Sequence, residues 1–240
     1  CRPDADVMNK RKGNRTLRER LGECTPLMIS EMKTWGLSDL EENDGPLTEF
    51  CEHKRIPKEF MVNMVKAGVV GVLHHPALKT PAIAWIFDNP HFGIGCKLRL
   101  NPYSSRMTIW WKGRSQEHFF GEQLLQPSSG DSQLMIAEGE SDALVLNFFG
   151  IPAVGVTGAT VMPDPKITHY ALSHRVVGVW YDADDAGRES TVKIQKHIAD
   201  HSSGVKIVEG IGSKIPDGMD IGDCYEKWEE RFSKYAVSEL

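Results

Sequence analysis

The strongest constraint on the fold of this 240-residue chain is the alternation of short apolar runs with amphipathic stretches in its second half. Four apolar runs have the length of buried strands, at residues 134–137, 153–156, 176–181 and 205–208. Four stretches with helical periodicity follow them in turn, at residues 142–149, 165–173, 188–199 and 220–232. This alternation predicts a parallel α/β sheet flanked by helices, with any ligand at the carboxyl ends of its strands.

The first half has a different pattern, which predicts a smaller mixed α+β subdomain before the parallel sheet. A helix is expected to begin at Pro57 and to end at Gly68, because proline favours the first turn of a helix and glycine favours its end. Three strand-like runs separated by turn residues follow, at residues 82–87, 94–100 and 107–111. Consecutive short strands of this kind are typical of an antiparallel meander.

Shifts in composition divide the chain after residues 46 and 132. Residues 1–46 combine a basic segment with an acidic stretch at 37–46. The basic segment is interpreted as a solvated tether, with a DNA-binding arm as the alternative, and the acidic stretch is predicted to be a loop. Residues 47–132 are assigned to the α+β subdomain and its linker, and residues 133–240 to the parallel domain.

The charge balance limits how the chain could bind nucleic acid. The sequence has 28 basic and 33 acidic side chains, and its net charge is −5. This argues against binding by bulk charge, since non-specific DNA binding depends on lysines and arginines that displace counterions. An enzyme with a local basic groove and an acidic metal site is compatible with the same balance.

Cysteine usage and hydropathy indicate a cytoplasmic protein. The five cysteines are far apart and form no C-x-x-C pair, so we expect free thiols in a reducing compartment and no zinc in this chain. No apolar run has the length of a transmembrane helix and the start has no signal-peptide core, so no membrane association is expected. Because the chain begins at Cys1 rather than Met, we expect a fragment or a processed product.

Acidic residues follow three of the segments predicted to end at the same edge of the parallel sheet. They lie in E-G-E-S-D at 138–142, in D-A-D-D-A-G-R at 182–188, and in a late loop with Asp217, Asp220 and Asp223. Crowded carboxylates raise one another's pKa unless a cation lies among them, and hard oxygen ligands of this kind suit Mg²⁺, with Mn²⁺ as an alternative. One or two ions would fit a site of the type used by polymerases and nucleases.

In this order, the motifs E-G-E-S-D, V-T-G-A-T, D-A-D-D-A-G-R and I-P-D-G-M-D-I-G-D resemble the TOPRIM domain shared by topoisomerases and primases. They are most similar to the primase branch, in particular phage helicase-primases and the RNA polymerase domain of bacterial replicative primases. The resemblance implies that Glu138, Asp182 and Asp184 form the catalytic and metal-binding set, with Asp220 and Asp223 as further metal ligands. It also assigns nucleotide or DNA binding to Gly158 and Arg188, and Arg188 opens a helix whose N-terminus favours phosphate.

The resemblance extends more weakly into the first half. The segments R-I-P-K-E-F, I-G-C-K-L-R-L, W-W-K-G and F-F-G-E-Q-L-L are similar to the region that precedes the TOPRIM domain in primase cores. Lys97, Arg99 and Lys112 match the basic positions that line the path of template and nucleotide there, with solvated strand faces as the alternative. Four aromatic residues could stack on bases, although at least two are expected in the core: Trp85, Trp110, Trp111 and Phe119.

The function implied by the resemblance is that of a DNA primase, which synthesises short RNA primers on a single-stranded DNA template from ribonucleoside triphosphates with Mg²⁺. Glu138 would either deprotonate the primer 3′-hydroxyl or contribute to the metal site. A replicative helicase or a zinc-ribbon domain would be the partner in a full-length protein. The fragment itself is expected to be a monomer in the nucleoid or in a phage replication complex.

Three other functions stay open on the sequence. A TOPRIM nuclease or topoisomerase would use the same acidic set for DNA phosphoryl transfer. A D-x-D phosphatase would leave Glu138 unexplained, and it would be expected to have Thr or Val where this chain has Ala186. A non-catalytic nucleic-acid-binding module would keep the fold, but it would retain the repulsion among the carboxylates without benefit.

Overall fold

The structure is a computed structural model that describes residues 16–89, 93–104, 107–111, 118–125, 132–158, 161–208 and 217–228. The chain forms two compact units, which divide between residues 115 and 116. The boundary suggested by the sequence at 132/133 therefore lies inside the second unit. Most of the basic N-terminal segment, at residues 1–15, lies outside the described residues, as does Lys112.

The first unit consists of four helices followed by an antiparallel sheet. The helices are α1 (Leu17–Leu21), α2 (Pro26–Glu42), α3 (Pro46–Lys54) and α4 (Lys58–Lys66). The strands are β1 (Val70–Leu73), β2 (Ala82–Asn89), β3 (Gly93–Arg99) and β4 (Thr108–Trp110), and they pair in the order β1-β2-β3-β4. The helix predicted between Pro57 and Gly68 and the meander are confirmed, whereas β1 was not foreseen.

The core of the first unit lies between α2 and one face of the sheet. Met32 of α2 is buried with Ala84 and Ile86 of β2 and with Leu98 of β3. The helix approaches β1 closely, because a Cβ atom on Gly71 would lie 2.8 Å from the carbonyl oxygen of Met32. Glycine at this position therefore allows the helix to pack directly on the strand.

The prediction of a loop at residues 37–46 is wrong for its first half, because α2 continues to Glu42 and ends at Asn43 in the left-handed conformation, with φ 57°. Asp39 is only 6% exposed, and its carboxylate accepts hydrogen bonds from the backbone N–H groups of Leu47, at 3.0 Å, and Thr48, at 2.8 Å. This carboxylate caps the next helix, α3. In a sequence, such an acid looks the same as a solvated one.

The second unit is a parallel sheet with a helix after each strand. The strands are β5 (Ser132–Ala137), β6 (Ala153–Gly155), β7 (Arg175–Trp180) and β8 (Lys206–Ile207). The helices are α5 (Glu140–Phe148), α6 (Pro165–Leu172), α7 (Asp185–His201) and α8 (Ile221–Trp228). The strand order is β6-β5-β7-β8, so the predicted α/β architecture with a parallel sheet after a mixed subdomain is confirmed.

A short segment before β5 extends the parallel sheet at its β6 edge. Phe120 and Gly155 exchange backbone hydrogen bonds of 2.8 and 2.9 Å in an antiparallel bridge. The segment then turns into a 3₁₀ helix, Glu122–Leu124, and the buried side chains of His118 and Glu122 lie 2.6 Å apart. Within the part of the chain that the structure describes, no helix is long and apolar enough to cross a membrane.

Candidate active site

The pairing of β5 with β7 brings the first two predicted site residues together. Ala137 and Trp180 are partners at the ends of these neighbouring strands, so the residues that follow both strands leave the sheet at the same edge. Glu138 reaches across this edge, and its Oε2 accepts a hydrogen bond of 3.2 Å from the backbone N–H of Asp182. Glu138 and Asp182 therefore form the centre of the candidate site.

Asp184 lies at the start of α7, where it has a local structural role. Its Oδ1 accepts a hydrogen bond of 2.7 Å from the backbone N–H of Gly187, as expected for an N-cap residue. This cap explains why α7 begins at Asp185 rather than at the predicted Arg188. The carboxylate is exposed, so it can also face a ligand at the sheet edge.

The late acidic loop is joined to the segment between Asp182 and Asp184 by backbone hydrogen bonds. Ala183 donates to the carbonyl oxygen of Met219 at 3.0 Å and accepts from the N–H of Gly218 at 2.7 Å. Asp220 and Asp223 then cap α8 reciprocally, since each carboxylate accepts the backbone N–H of the other residue, at 2.6 and 3.2 Å. The structure thus brings the three acidic segments to one edge.

The electrostatics of the site are dominated by burial and by repulsion between carboxylates. Burial, followed by the charges of Glu138, Asp142, Asp220 and Asp184, raises the pKa of Asp182 from 3.8 to about 8. Burial also raises the pKa of Glu138; the backbone N–H of Asp182 opposes this shift, and the charges of Asp184 and Asp220 add to it. Every neighbour that shifts the pKa of Asp182 is an acid, so a bound cation would relieve the repulsion.

Asp142 was not selected from the sequence as a site residue, although it is the last residue of the E-G-E-S-D motif. It is 8% exposed on the first turn of α5, and its charge contributes to the raised pKa of Asp182. Its distance of four residues from Glu138 was the available signal. Asp223, in contrast, is absent from the groups that shift the pKa of Glu138 and Asp182.

The donor set fits Mg²⁺ better than a metal that needs a protein cage. In the described residues, no three or more His, Cys, Asp or Glu side chains are arranged so that they could hold a metal ion. Mg²⁺ does not require such a group, because it keeps several waters and is held by one or two carboxylates together with substrate phosphates. Repelling carboxylates at a partly open edge match this requirement.

Arg188 connects the loops of the site by hydrogen bonds. Its guanidinium donates to the carbonyl oxygen of Ala183 at 3.3 Å, to Asp217 at 3.1 Å and to Asp185 at 2.8 Å. Gly158, after β6, has φ 151°, a conformation that L side chains rarely adopt, so glycine is favoured there. Nucleotide binding by Arg188 and Gly158 stays a prediction.

The basic residues Lys97 and Arg99 belong to the first unit, where they lie on one face of β3. They are 7% and 4% exposed, so their interpretation as solvated strand positions is wrong. Lys97 Nζ lies 5.0 Å from the ring centroid of Trp110. Arg99 lies 5.0 Å from the Phe50 ring and donates to the carbonyl oxygens of Asn101 and Pro102, both at 3.0 Å. Their role in nucleotide binding stays a prediction.

The aromatic residues considered for base stacking are mostly in the core. Trp111 and Phe119 are fully buried and Trp85 is 1% exposed, which confirms the expectation that at least two of the four belong to the core. Trp111 also donates a hydrogen bond of 2.8 Å from its indole nitrogen to the carbonyl oxygen of Gly22. Trp110 alone among them is partly exposed.

The raised pKa of Asp182 predicts how the stability of the metal-free protein depends on pH. Because the pKa is higher in the folded state than the ordinary 3.8, the stabilising contribution is complete below that value and is lost as the pH rises through about 8. We expect the free energy of unfolding to fall by about 2 kcal/mol between pH 5 and 9, less than the full shift implies because Asp182 is partly exposed. Urea unfolding in EDTA measures this.

The control for this prediction is Asp182→Asn, which removes the titrating group. Its stability should change less with pH over the same range, and addition of Mg²⁺ at pH 9 should stabilise the wild type more than the variant. Equal pH dependence of the two proteins would show that the Asp182 carboxyl is not the group that titrates.

The search of solved structures finds the fold of primase cores. The primase fragment of the bacteriophage T7 primase-helicase protein is similar with a TM-score of 0.54 and 17% identity, over 78% of this chain and 72% of that one. The Aquifex aeolicus primase, comprising zinc-binding and RNA polymerase domains, is similar with a TM-score of 0.60 and 14% identity, over 87% of this chain and 60% of that one.

A further match comes from a complex. It is a chain in the structure of the bacteriophage T7 lagging-strand DNA polymerase interacting with primase domains of two gp4 subunits bound to an RNA/DNA hybrid and dTTP. The TM-score is 0.55 at 17% identity, over 76% of this chain and 87% of that one. No family model and no curated protein matches the sequence. At these identities the similarity establishes a primase-related fold.

Proposed function

We propose that this chain is the catalytic core of a DNA primase, which uses Mg²⁺ to synthesise short RNA primers on single-stranded DNA. The observation that carries the proposal is the group of mutually repelling carboxylates around Asp182, at the carboxyl edge of a parallel sheet. The similarity in fold to solved primase structures supports it, as does the resemblance of the motifs at this edge to those of primase TOPRIM domains. A bound cation would relieve the repulsion, and phosphates bound to that cation would lie at the same edge.

One or two of the carboxylates of Asp182, Asp184 and Asp220 are proposed to bind Mg²⁺, or Mn²⁺ in its place, together with the phosphates of the substrate. Asp223 is a weaker candidate, because its charge is absent from the groups that raise the pKa of Glu138 and Asp182, whereas those of Asp184 and Asp220 are among them. The bound ion would supply charge stabilisation on the phosphates during phosphoryl transfer. The two capping interactions, at Asp184 and Asp220, fix the carboxylates before a ligand arrives, which reduces the ordering that binding would require.

Glu138 is the proposed proton acceptor of the site. Burial raises the pKa of the Glu138 carboxyl group toward the pH at which the enzyme would work. A pKa in that direction suits a group that must accept a proton from the 3′-hydroxyl and release it again. The hydrogen bond from the backbone of Asp182 holds Glu138 beside the proposed metal ligands. Direct metal binding by Glu138 is the alternative role.

The nucleotide is proposed to bind with its phosphates toward the N-terminus of α7. Backbone N–H groups at a helix N-terminus favour anions, and Arg188 lies on the first turns of this helix with a side chain that is 46% exposed. Gly158 would allow close approach of the loop after β6. Binding of nucleotide or DNA by Lys97 and Arg99, in the first unit, is a further part of the proposal; their cationic groups lie over the rings of Trp110 and Phe50.

The proposed partners are a single-stranded DNA template and ribonucleoside triphosphates, in a cytoplasmic replication complex. One similar structure contains primase domains bound to an RNA/DNA hybrid and dTTP, and another carries a zinc-binding domain. By analogy, a zinc-ribbon domain or a replicative helicase would complete this core in a longer protein.

Incubation of the chain with mixed-sequence single-stranded DNA, labelled ribonucleotides and Mg²⁺ tests the function. Short RNA products that require both template and Mg²⁺ are expected. A fusion to a primase zinc-ribbon domain is assayed in parallel, so that lack of template recognition does not hide the activity. Metal-dependent nicking of DNA without RNA products would replace the proposal by a TOPRIM nuclease, and binding of DNA without either reaction would replace it by a binding module.

A further inference from the structure

Tyr181 is a buried residue at the centre of the site with no function in the mechanism described above. Tyr181 immediately follows β7 and is 1% exposed. Among the described residues its hydroxyl group has no hydrogen-bond partner. A buried hydroxyl without a partner is costly, so its presence usually indicates a water molecule, a ligand or a catalytic role.

Tyr181 and Glu138 occupy neighbouring positions just after the ends of β7 and β5. Continuing the register of β5 and β7 by one residue beyond the pair Ala137–Trp180 places Glu138 beside Tyr181, on the same side of the sheet. Burial, followed by the charge of Glu138, raises the pKa of Tyr181, as expected for a phenol next to a carboxylate. The structure has no direct hydrogen bond between them, and Glu138 Oε2 accepts from the backbone of Asp182.

We propose that the Tyr181 hydroxyl orients Glu138 through one buried water molecule and that Tyr181 is thus a positioning residue for the reaction. The phenol donates a hydrogen bond to the water, and the water donates to the Glu138 carboxylate. Together with the N–H of Asp182, this second contact holds the carboxylate in one direction at the edge of the sheet. The inference rests on the proposed function, in which Glu138 acts on the primer 3′-hydroxyl or on the metal.

A phenylalanine would fill the same space without an unpaired polar atom, so packing alone does not explain a tyrosine here. Water is the appropriate bridge because a buried water molecule usually satisfies two or more polar groups, and a phenol and a carboxylate are two. The neighbouring acids Asp182 and Asp184 lack a donor when ionised, so the phenol is well suited to supply one next to Glu138.

Kinetics of four proteins test the inference: the wild type, Tyr181→Phe, Glu138→Gln and the double variant. Tyr181→Phe is expected to lower kcat for primer synthesis about tenfold with KM for the nucleotide unchanged, the pattern of an interaction that acts in the transition state. If Tyr181 acts through Glu138, the double variant should be no slower than Glu138→Gln alone. Multiplying losses, or an unchanged kcat in Tyr181→Phe, would overturn the inference.

A second measurement does not depend on activity. With ¹³Cζ-labelled tyrosine, the five tyrosines give a simple NMR spectrum, in which the Tyr181 signal is the one that Tyr181→Phe removes. This signal is expected to move in metal-free Glu138→Gln and to stay in place in Glu189→Gln, an exposed glutamate on α7. If the signal moves but the wild type has no primase activity, the proposed function is overturned and the coupling between Tyr181 and Glu138 is retained. If the signal does not move in Glu138→Gln, the coupling itself is overturned.

Discussion

Asparagine at position 182 is expected to abolish primer synthesis while it stabilises the metal-free protein. Burial and the charges of four neighbouring carboxylates all raise the pKa of Asp182. A negative charge on this side chain is therefore destabilising when no cation is bound. We expect activity to fall by at least about 10³-fold, the scale seen when a key charge-stabilising group is removed from an active site. The free energy of unfolding in EDTA at pH 8.5 should rise by about 1–2 kcal/mol.

Asp185→Asn is the matched control, because it changes the same residue type three positions later in the same segment. The Asp185 side chain is 98% exposed and contacts Arg188, and its charge does not contribute to the raised pKa of Asp182. We expect its activity to stay within about threefold of the wild type, since exposed ion pairs contribute little. Loss of activity in both variants, or lower stability of Asp182→Asn in EDTA, would contradict the assignment of Asp182 to the metal site.

The parallel sheet could be predicted from the sequence because three of its strands, β5, β6 and β7, are mostly buried on both faces. Such strands appear as continuous apolar runs, and the helices between them have a clear 3.6-residue period. The antiparallel first unit was harder to predict from the sequence. Strand β1 (Val70–Leu73) is short and directly follows a helix, and the end of α2 is stabilised by Asp39, whose partners lie eight and nine residues further along the chain.

The sequence predicted which residues form the site better than it predicted the pKa values of those residues. Glu138 and Asp182 follow apolar strands, and adjacency of those strands is the usual outcome in an α/β fold. The environment of each carboxyl group depends on side chains from other segments, so the pKa of about 8 at Asp182 could not be read from the motifs. The burial of Lys97 and Arg99 was hidden for the same reason, since it depends on Trp110 and Phe50.

Gly187→Ala is expected to have the second large effect, because it disturbs the segment that carries two of the proposed metal ligands. A Cβ atom on Gly187 would lie 2.0 Å from the carbonyl oxygen of Asp182, and a backbone atom cannot rotate away as a flexible side chain could. The N–H of Gly187 also donates to Asp184, so a shift of the helix end would break that cap. We expect a loss of about 3 kcal/mol in stability and loss of primer synthesis.

Gly150→Ala provides the comparison, since it makes the same chemical change where no atom lies within 4 Å of the added carbon. Gly150 has φ 75°, so alanine there should cost about 1–2 kcal/mol through backbone strain alone and should leave primer synthesis intact. Urea unfolding and the primer assay on both variants separate strain from collision. If Gly187→Ala were as stable and as active as Gly150→Ala, the tight turn after Asp182 would not be what positions the acidic segment, and the caps at Asp184 and Asp220 would have to hold it alone.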